Sequence, residues 1–450
     1  MQRKSTHSAG QYRKPAIKEP RSFRPRSGED IVKVVTNPRK FPSPVRAVGA
    51  NSSNTRCTKV QEGTLLDMTG MARLVQIKSG TVTVQAGMRL RDLARTLADH
   101  GLELVGSYEY PDRTVGGVIS SGSLSAGMPE DGGHLATSVC GLKLVTPQGR
   151  IVAIDESEPD ALRWVRQSYG LIGIIYMVTL RIRKIRSYSI RHSKIGFAQL
   201  TTLVPNLAKI SAGVKMYLLP FRDRVFIELR EASAAGRPHS FAWKIQDWLL
   251  NRILPDLVYT VGRAFSVSRI RDPLIDGFGE ATQMLVNTRL MDAGSNSVEQ
   301  TGQFRKVGAS SRIRHCTWLF PANKFSAALY SYREFCRRHY LTTGFRCDLP
   351  AIGYRLTRDR GAVLSPSFDG PVFAISLRTT NTNGWDNFLI DFAGIASNFG
   401  GIPMFNQTPG FTPEQAARAY GKRLKHFRAM RRKADPENRL LNQFFAEHIG

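Results

Sequence analysis

The chain has 450 residues, 42% of them hydrophobic, and a formal net charge of +28. That length exceeds one ordinary core and predicts two domains. No apolar run reaches the ~18 residues of a membrane-spanning helix, and no apolar stretch follows the basic N-terminus as a secretory signal requires.

The five cysteines, Cys57, Cys140, Cys316, Cys336 and Cys347, are odd in number and include no C-x-x-C. Neither a zinc site nor a thioredoxin motif is indicated, and free thiols in a reducing cytoplasm are expected. The nine histidines are scattered, H-E-x-x-H is absent, and no G-x-S-x-G elbow occurs. No metal site and no serine-hydrolase chemistry are therefore expected. Residues 1–28 hold eight Lys/Arg against one acid, with Pro, Ser and Gly between them, and 1–27 reads as a disordered basic tail. The positive balance suits anionic ligands or an anionic membrane surface. Without a nucleic-acid motif, nucleic acid is not expected as the main partner.

Order begins near Ile31–Val35. Val45–Val48 reads as a short strand leading into the polar turn Gly49-Ala50-Asn51-Ser52-Ser53-Asn54. Thr81–Val84 alternates like a half-buried strand; Leu90, Leu93, Ala94 and Leu97 recur at helical spacing, with Gly101 as the stop. Thr114–Gly133 is rich in Gly and Ser and predicts a flexible, donor-rich segment. Leu142–Val145 and Ile151–Ile154, separated by Pro147-Gln148-Gly149, read as a hairpin. Pro159 opens a helix through Leu162, Val165 and Tyr169. Gly170–Gly173 breaks it, and the alternation of Tyr176, Val178, Leu180 and Ile182 predicts a strand. Past residue 187 strands and helices mix. Residues 241–266, with Trp243, Trp248, Leu249, Leu250 and Ile253, read as a packed cap helix. The alternative, a segment resting on a membrane, is interrupted by Asp247 and Asp256. Thr412-Pro413-Glu414-Gln415 starts a helix that runs to about Lys433, where Asp435-Pro436 stops it.

Two Gly/Ser-rich loops carry the chemistry: the turn at 49–54, and Gly122–Gly127 within the later segment. Small residues let a backbone approach a diphosphate, and their amides and hydroxyls donate to its oxygens. Neither loop is a Rossmann fingerprint or a P-loop. By residue type alone they are equally ordinary surface loops.

Five segments in order resemble the FAD-binding domain of the vanillyl-alcohol-oxidase superfamily, and most closely its sugar-lactone and alditol oxidases: Arg46–Ser53 (RAVGANSS), Val82–Gly87 (VTVQAG), Thr114–Gly127 (TVGGVISSGSLSAG), Val139–Val145 (VCGLKLV) and Gly170–Leu180 (GLIGIIYMVTL). Leu364–Phe368, Phe399–Pro403 and Asp435–Asn442 resemble the family's later signatures. The resemblance implies an α+β fold: a two-subdomain PCMH-type FAD-binding domain at 28–186, a mixed-sheet substrate (cap) domain at 187–410, and a C-terminal helical segment at 411–450 packing on the FAD domain. It implies FAD as cofactor. Gly49, Ala50, Asn51, Ser52 and Ser53 would hold one side of its diphosphate. Thr114, Ser120, Ser121, Gly122, Ser123, Ser125 and Gly127 would hold the other, with Gly116 and Gly117 setting the approach and Gly173 and Ile174 meeting the adenine end.

The chain departs from the family pattern at four positions. Ser52 stands where many relatives carry a flavin-linking His, so a non-covalent flavin is expected. Leu124 replaces a second His. Arg355 matches a family Arg, but Gly353 stands where the acid two positions earlier belongs. Gln407 replaces a Lys that often stands four residues after the G-x-P stretch. The implied reaction is oxidation of a CH–OH group in a sugar lactone, polyol or related alcohol, with oxygen or a redox partner as acceptor. Arg355 is expected as the cation near the reduced flavin, with Tyr354, Asn406 and Gln407 orienting the hydroxyl. Two other functions stay open: a peripheral-membrane dehydrogenase of a lipid-linked sugar, and a silent basic binding protein on the same scaffold.

Overall fold

The computed structural model describes residues 20–106, 111–124, 128–131, 134–233, 245–246, 248–286, 295–297 and 310–450. Three β-sheets frame these residues. The first is a parallel set of β1 (Arg21–Phe23), β2 (Val45–Val48) and β3 (Thr64–Asp67) in the order β1-β3-β2. The second contains β4 (Leu74–Lys78), β5 (Thr81–Gln85), β6 (Leu102–Leu104), β7 (Val139–Val145), β8 (Ile151–Asp155) and β9 (Ile174–Lys184). Its order is β4-β5-β9-β7-β8, with β6 also pairing β9. The expected hairpin is there as β7–β8, with Leu144 opposite Val152. The predicted alternation is there in β9, where Val178 and Leu180 are fully buried and Arg181 is exposed. Helices α1 (Gly28–Val35), α2 (Leu90–Ala98), α3 (Val115–Ser121) and α4 (Pro159–Val165) complete this half. Leu90, Leu93 and Leu97 of α2 pack with Val82, Val84, Val118 and Val178 in one apolar core.

The third sheet begins at Ser187. It contains β10 (Ser187–Ile195), β11 (Gly213–Leu219), β12 (Arg224–Ser233), β13 (Ser295–Ser297), β14 (Arg314–Pro321), β15 (Ala351–Leu356), β16 (Val372–Thr379) and β17 (Ile402–Pro403). The order is β13-β10-β12-β11-β15-β16-β14-β17, and each described pairing is antiparallel. One face is covered by α5 (Phe197–Leu207) and by later helices at Ala322–Thr343 and Trp385–Asn398, with Phe325 stacked on Phe373 at 4.5 Å. The resulting core reaches into the first half through Tyr169 and Leu171. A continuous apolar core of this kind holds two halves in one fixed relation.

Sequence expectations fail at three places, each for a local reason. Within the expected tail, Arg21–Phe23 is a strand, because Phe23 buries against Phe41 at 5.3 Å. Residues 1–19 lie outside the described residues. The segment expected to lack regular structure from Thr114 contains helix α3. Thr114 caps it by accepting from the Gly117 amide, and Val115, Val118 and Ile119 bury one face. The helix from Pro159 ends at Val165, short of Tyr169. Gln167 (φ 53°) and Tyr169 (φ 56°) then take left-handed backbone, which is costly for residues with a Cβ.

Residues 234–244 and 247, Trp243 among them, lie outside the described residues; in the rest of the expected cap Leu250 packs on Tyr217 and Phe226, and Val258 and Val261 are buried. The predicted helix at the C-terminus spans Pro413–Ala434 with the capping box of Thr412 and Gln415. Beyond it, Arg439 donates to the carbonyls of Val34, Val35 and Phe41 and to the Ser43 hydroxyl. The end of the chain is thereby fastened to α1.

Two measurements test this frame. Arg439→Ala strands these acceptors and is expected to cost about 3 kcal/mol in chemical denaturation. Cys316, Cys336 and Cys347 are buried, and burial pushes all three thiols up, Cys336 to about 12. With so little thiolate, they are expected to resist iodoacetamide in the native protein and to react on unfolding. Rapid native labelling of any of the three, read by mass spectrometry, contradicts this packing.

Candidate functional site

Two adjoining cavities open where the first half meets the end of the chain. Ala50, Asn51, Ser52, Ser53, Ser121 and Asn406 line one, with Cys57, Thr58 and Arg113. Gly116, Gly173, Ile174, Met68 and Ala86 line the other. Arg46, Gly49, Thr114, Gly117, Ser120 and Tyr169 belong to both.

The two loops meet because Gly49 has no side chain. A Cβ there would lie 2.0 Å from Thr114 Oγ1. Gly116 has the same role against Ala86, where a Cβ would lie 2.7 Å from the alanine methyl. The loops differ in what they offer a ligand. In α3 the amides are spent: Val115 donates to Met88, Gly116 to Ala86, and Gly117 to the Thr114 hydroxyl. Only hydroxyls are left there, at Ser120 and Ser121, and the latter donates to Gly117 O. In the first loop the amides of Ala50, Asn51, Ser52 and Ser53 make no hydrogen bond to the described chain. Asn51 sits at φ 50°. Successive amides around a left-handed residue form an anion-binding concavity.

Asn406 closes this cavity. Its carbonyl accepts from the Asn54 amide at 3.0 Å. Its side-chain Oδ1 is buried without a hydrogen-bond partner. A buried acceptor in that state wants a donor. The neighbouring Gln407 does not line the cavity; its carbonyl accepts from Thr317, and its buried Nε2 has no partner. The floor is Arg46, which donates to Leu440 O at 3.0 Å and Tyr169 O at 2.6 Å. Burial pushes its pKa down to about 10, against opposing contributions from Cys57 and Asp435. A donor-rich, amide-lined cleft of this kind fits a dinucleotide with a diphosphate.

Family comparison agrees with that chemistry. A profile described as "FAD binding domain" matches residues 21–155, and one described as "D-arabinono-1,4-lactone oxidase" matches residues 178–448. The chain belongs to the D-arabinono-1,4-lactone oxidase family. It is an FAD-dependent oxidoreductase with a PCMH-type FAD-binding domain. Among its relatives is the L-gulono-1,4-lactone dehydrogenase of Mycobacterium tuberculosis, 21% identical with 95% of each chain covered. The L-gulonolactone oxidase of Mus musculus is 24% identical over 94% of this chain and 93% of the relative. The fold is that of the cholesterol oxidase from Brevibacterium sterolicum, with a TM-score of 0.74 at 13% identity over 95% of this chain and 94% of that one.

The residue expected as the flavin-side cation is held elsewhere. Arg355 is 2% exposed and lines neither cavity. It points to the helix-covered face of the third sheet and donates to the carbonyls of Leu207, which ends α5, and of Ile210 and Ala212 in the turn after it. It is a helix C-terminal clamp. Gly353 is on the same face, where a Cβ would lie 2.9 Å from Met216 Cε and would have to displace that methyl.

The opposite face carries the charge. Tyr354 stands across from Lys215, and Lys215 across from Glu228, which also faces His192. The Lys215 ammonium lies 5.6 Å from the Tyr354 ring. Glu228 is fully buried; its Oε1 accepts from Arg230 Nε at 2.6 Å, and its Oε2 lies 3.6 Å from His192 Nε2. Burial raises the Glu228 pKa, but Arg230, with His192 and Lys215, outweighs it and holds the carboxyl well below the usual range. Further along this face, burial pushes His315 down to about 3, and Arg113 and Arg378 add to the shift.

Of the expected residues, Gly122 and Ser123 lie behind the cavities. Gly122 has φ +79°, and Ser123 is fully buried with its carbonyl bonded to His134 Nδ1. Ser125 and Gly127 lie outside the described residues. Arg46, Tyr169, Lys215, Glu228 and Arg230 were not anticipated. Glu228 and Arg230 had one usable sign, an acid two positions before an arginine.

Replacing Arg355 by Met separates the two roles considered for it. The expected outcome is a loss of about 2–4 kcal/mol in denaturant stability, with FAD content of the folded protein unchanged. Normal stability with impaired flavin reduction contradicts the clamp.

Proposed function

We propose that this protein holds FAD without a covalent bond and oxidises a CH–OH group of a sugar lactone or related polyol. The observation that carries the reading is the loop at Ala50–Ser53, whose uncommitted amides face the hydroxyls of Ser120 and Ser121 across the Gly49–Thr114 contact. The substrate class follows from the relatives named as L-gulono-1,4-lactone dehydrogenase and L-gulonolactone oxidase. Bound FAD supplies a hydride acceptor.

The chain supplies the rest. Amides of the first loop and the Ser120 hydroxyl donate to the diphosphate oxygens. Asn406 Oδ1 accepts from a ligand hydroxyl or N–H. Gly116, Gly173 and Ile174 let the nucleotide lie against β5 and β9. Ser52 cannot form the link that an imidazole forms, and His134 is fully buried, bonded to Ser123 O and Ser367 Oγ, and absent from the cavity walls. Both points support a dissociable flavin. Glu228 and Lys215 are buried on the charged face of the third sheet and line neither cavity, so they are given no part in the reaction. Oxygen or a redox protein takes the electrons onward.

Three outcomes are expected. Acid precipitation of the yellow protein leaves the colour in the supernatant; colour in the pellet contradicts the Ser52 argument. Anaerobic L-gulono-1,4-lactone or a related lactone bleaches the flavin absorbance, and a panel of lactones and polyols that leaves it intact removes the substrate assignment. Gly49→Ala forces the loops apart and yields folded protein depleted of FAD.

A further inference from the structure

The cap contains two antiparallel-running helices, α6 (Leu254–Ala264) and α7 (Ser268–Met284). Their inner faces are fixed: Val258, Val261 and Ile275 are buried with Leu349. Their joint is not. Phe265, Val267, Ile270 and Leu274 are 39%, 54%, 53% and 38% exposed. Among the described residues, eight of the fourteen large exposed apolar side chains lie between Trp248 and Leu285. Scattered exposed apolar residues are ordinary, whereas a concentration at one projecting turn marks an interaction surface.

The charge of the turn narrows the partner. From Leu257 to Arg271 the chain has no acid and carries Arg263, Arg269 and Arg271. Arg271 is paired with Asp272. Arg263 bonds the Tyr259 hydroxyl at 2.9 Å. Arg269 is exposed and makes no ion pair among the described residues. An apolar tip rimmed by cations matches the boundary of an anionic bilayer, where the apolar groups enter the acyl region and the guanidiniums meet lipid phosphates. Nucleic acid would use the arginines and leave Phe265, Val267 and Ile270 without a partner. No described helix is long and apolar enough to cross a membrane, so the contact is one of resting on the surface.

We propose that the turn between α6 and α7 docks this protein on anionic membranes by inserting Phe265, Val267 and Ile270 between lipid headgroups. The same cap lies on the sheet face that carries Lys215 and Tyr217, because Leu250 packs on Tyr217 and Asn251 bonds Arg378. Membrane docking at this turn does not depend on which substrate the flavin oxidises.

The test uses the full FAD-loaded chain and vesicles of phosphatidylcholine with or without phosphatidylserine, read by co-flotation. Wild type floats with the anionic vesicles and loses affinity as salt rises. Phe265→Asp with Ile270→Asp weakens binding by about 100-fold while leaving the flavin spectrum and melting unchanged, about tenfold for each apolar side chain withdrawn. Phe265→Trp preserves binding, and its fluorescence is quenched by brominated acyl chains. If the double Asp variant floats as well as wild type, or the introduced tryptophan is not quenched, binding comes from net charge alone and the proposal fails. It also fails if duplex DNA, added as competitor, displaces the vesicles and binds wild type and double variant equally.

Discussion

The buried guanidinium of Arg46 ties together three parts of the chain that are far apart in sequence. It leaves β2, donates to Tyr169 in the turn after α4, and donates to Leu440 near the C-terminus. A charge withdrawn from water is tolerable only if its donors find fixed acceptors. Those acceptors are fixed at some expense elsewhere. Gln167 and Tyr169 are held at positive φ, and Asp435 accepts from the amides of Arg439 and Leu440. The Phe445 ring covers the guanidinium at 5.1 Å. Both cavities share Arg46 as a wall, so the nucleotide cleft exists only once the end of the chain has folded back.

The same economy of backbone donors separates the two loops. Where α3 packs against β5 and β9, close approach requires that its amides be satisfied by the chain itself, and glycine permits the approach. At Ala50–Ser53 no described residue claims the amides. A ligand-binding role belongs to the loop that the fold leaves unsatisfied, and a spacing role to the loop that it satisfies. The glycines at 49 and 116 are therefore packing glycines whose consequence is a cleft.

The third sheet shows how alternation divides labour. Tyr354 and Arg355 are adjacent, so their side chains go to opposite faces. One faces Lys215 across the charged side; the other secures the end of α5 beneath the helices. Glu228 and Arg230, two residues apart, share the charged face. The resulting group combines one carboxylate with two cations, all nearly inaccessible to water. In such surroundings each charge strongly affects the ionisation of the others, which keeps Glu228 ionised despite its burial.

The sequence by itself determined the elements whose cause is local or periodic: the alternating strand from Ile174, the hairpin of β7 and β8, helix α2, and the capped helix from Pro413. It also determined the order of the five segments by which the FAD domain was legible, and with them Gly49–Ser53, Thr114, Gly116, Gly117, Ser120, Ser121, Gly173, Ile174 and Asn406, which the fold gathers at the two cavities. Helix α3 escaped because small residues read as loop until a packed partner rewards their helical face. Arg355 was misassigned because a motif fixes sequence spacing and not which face of a strand a side chain takes. The buried charge group around Glu228 was invisible because its members, His192, Lys215 and Glu228, come from three strands. Only cross-strand register brings them together, and register is set by the assembled sheet.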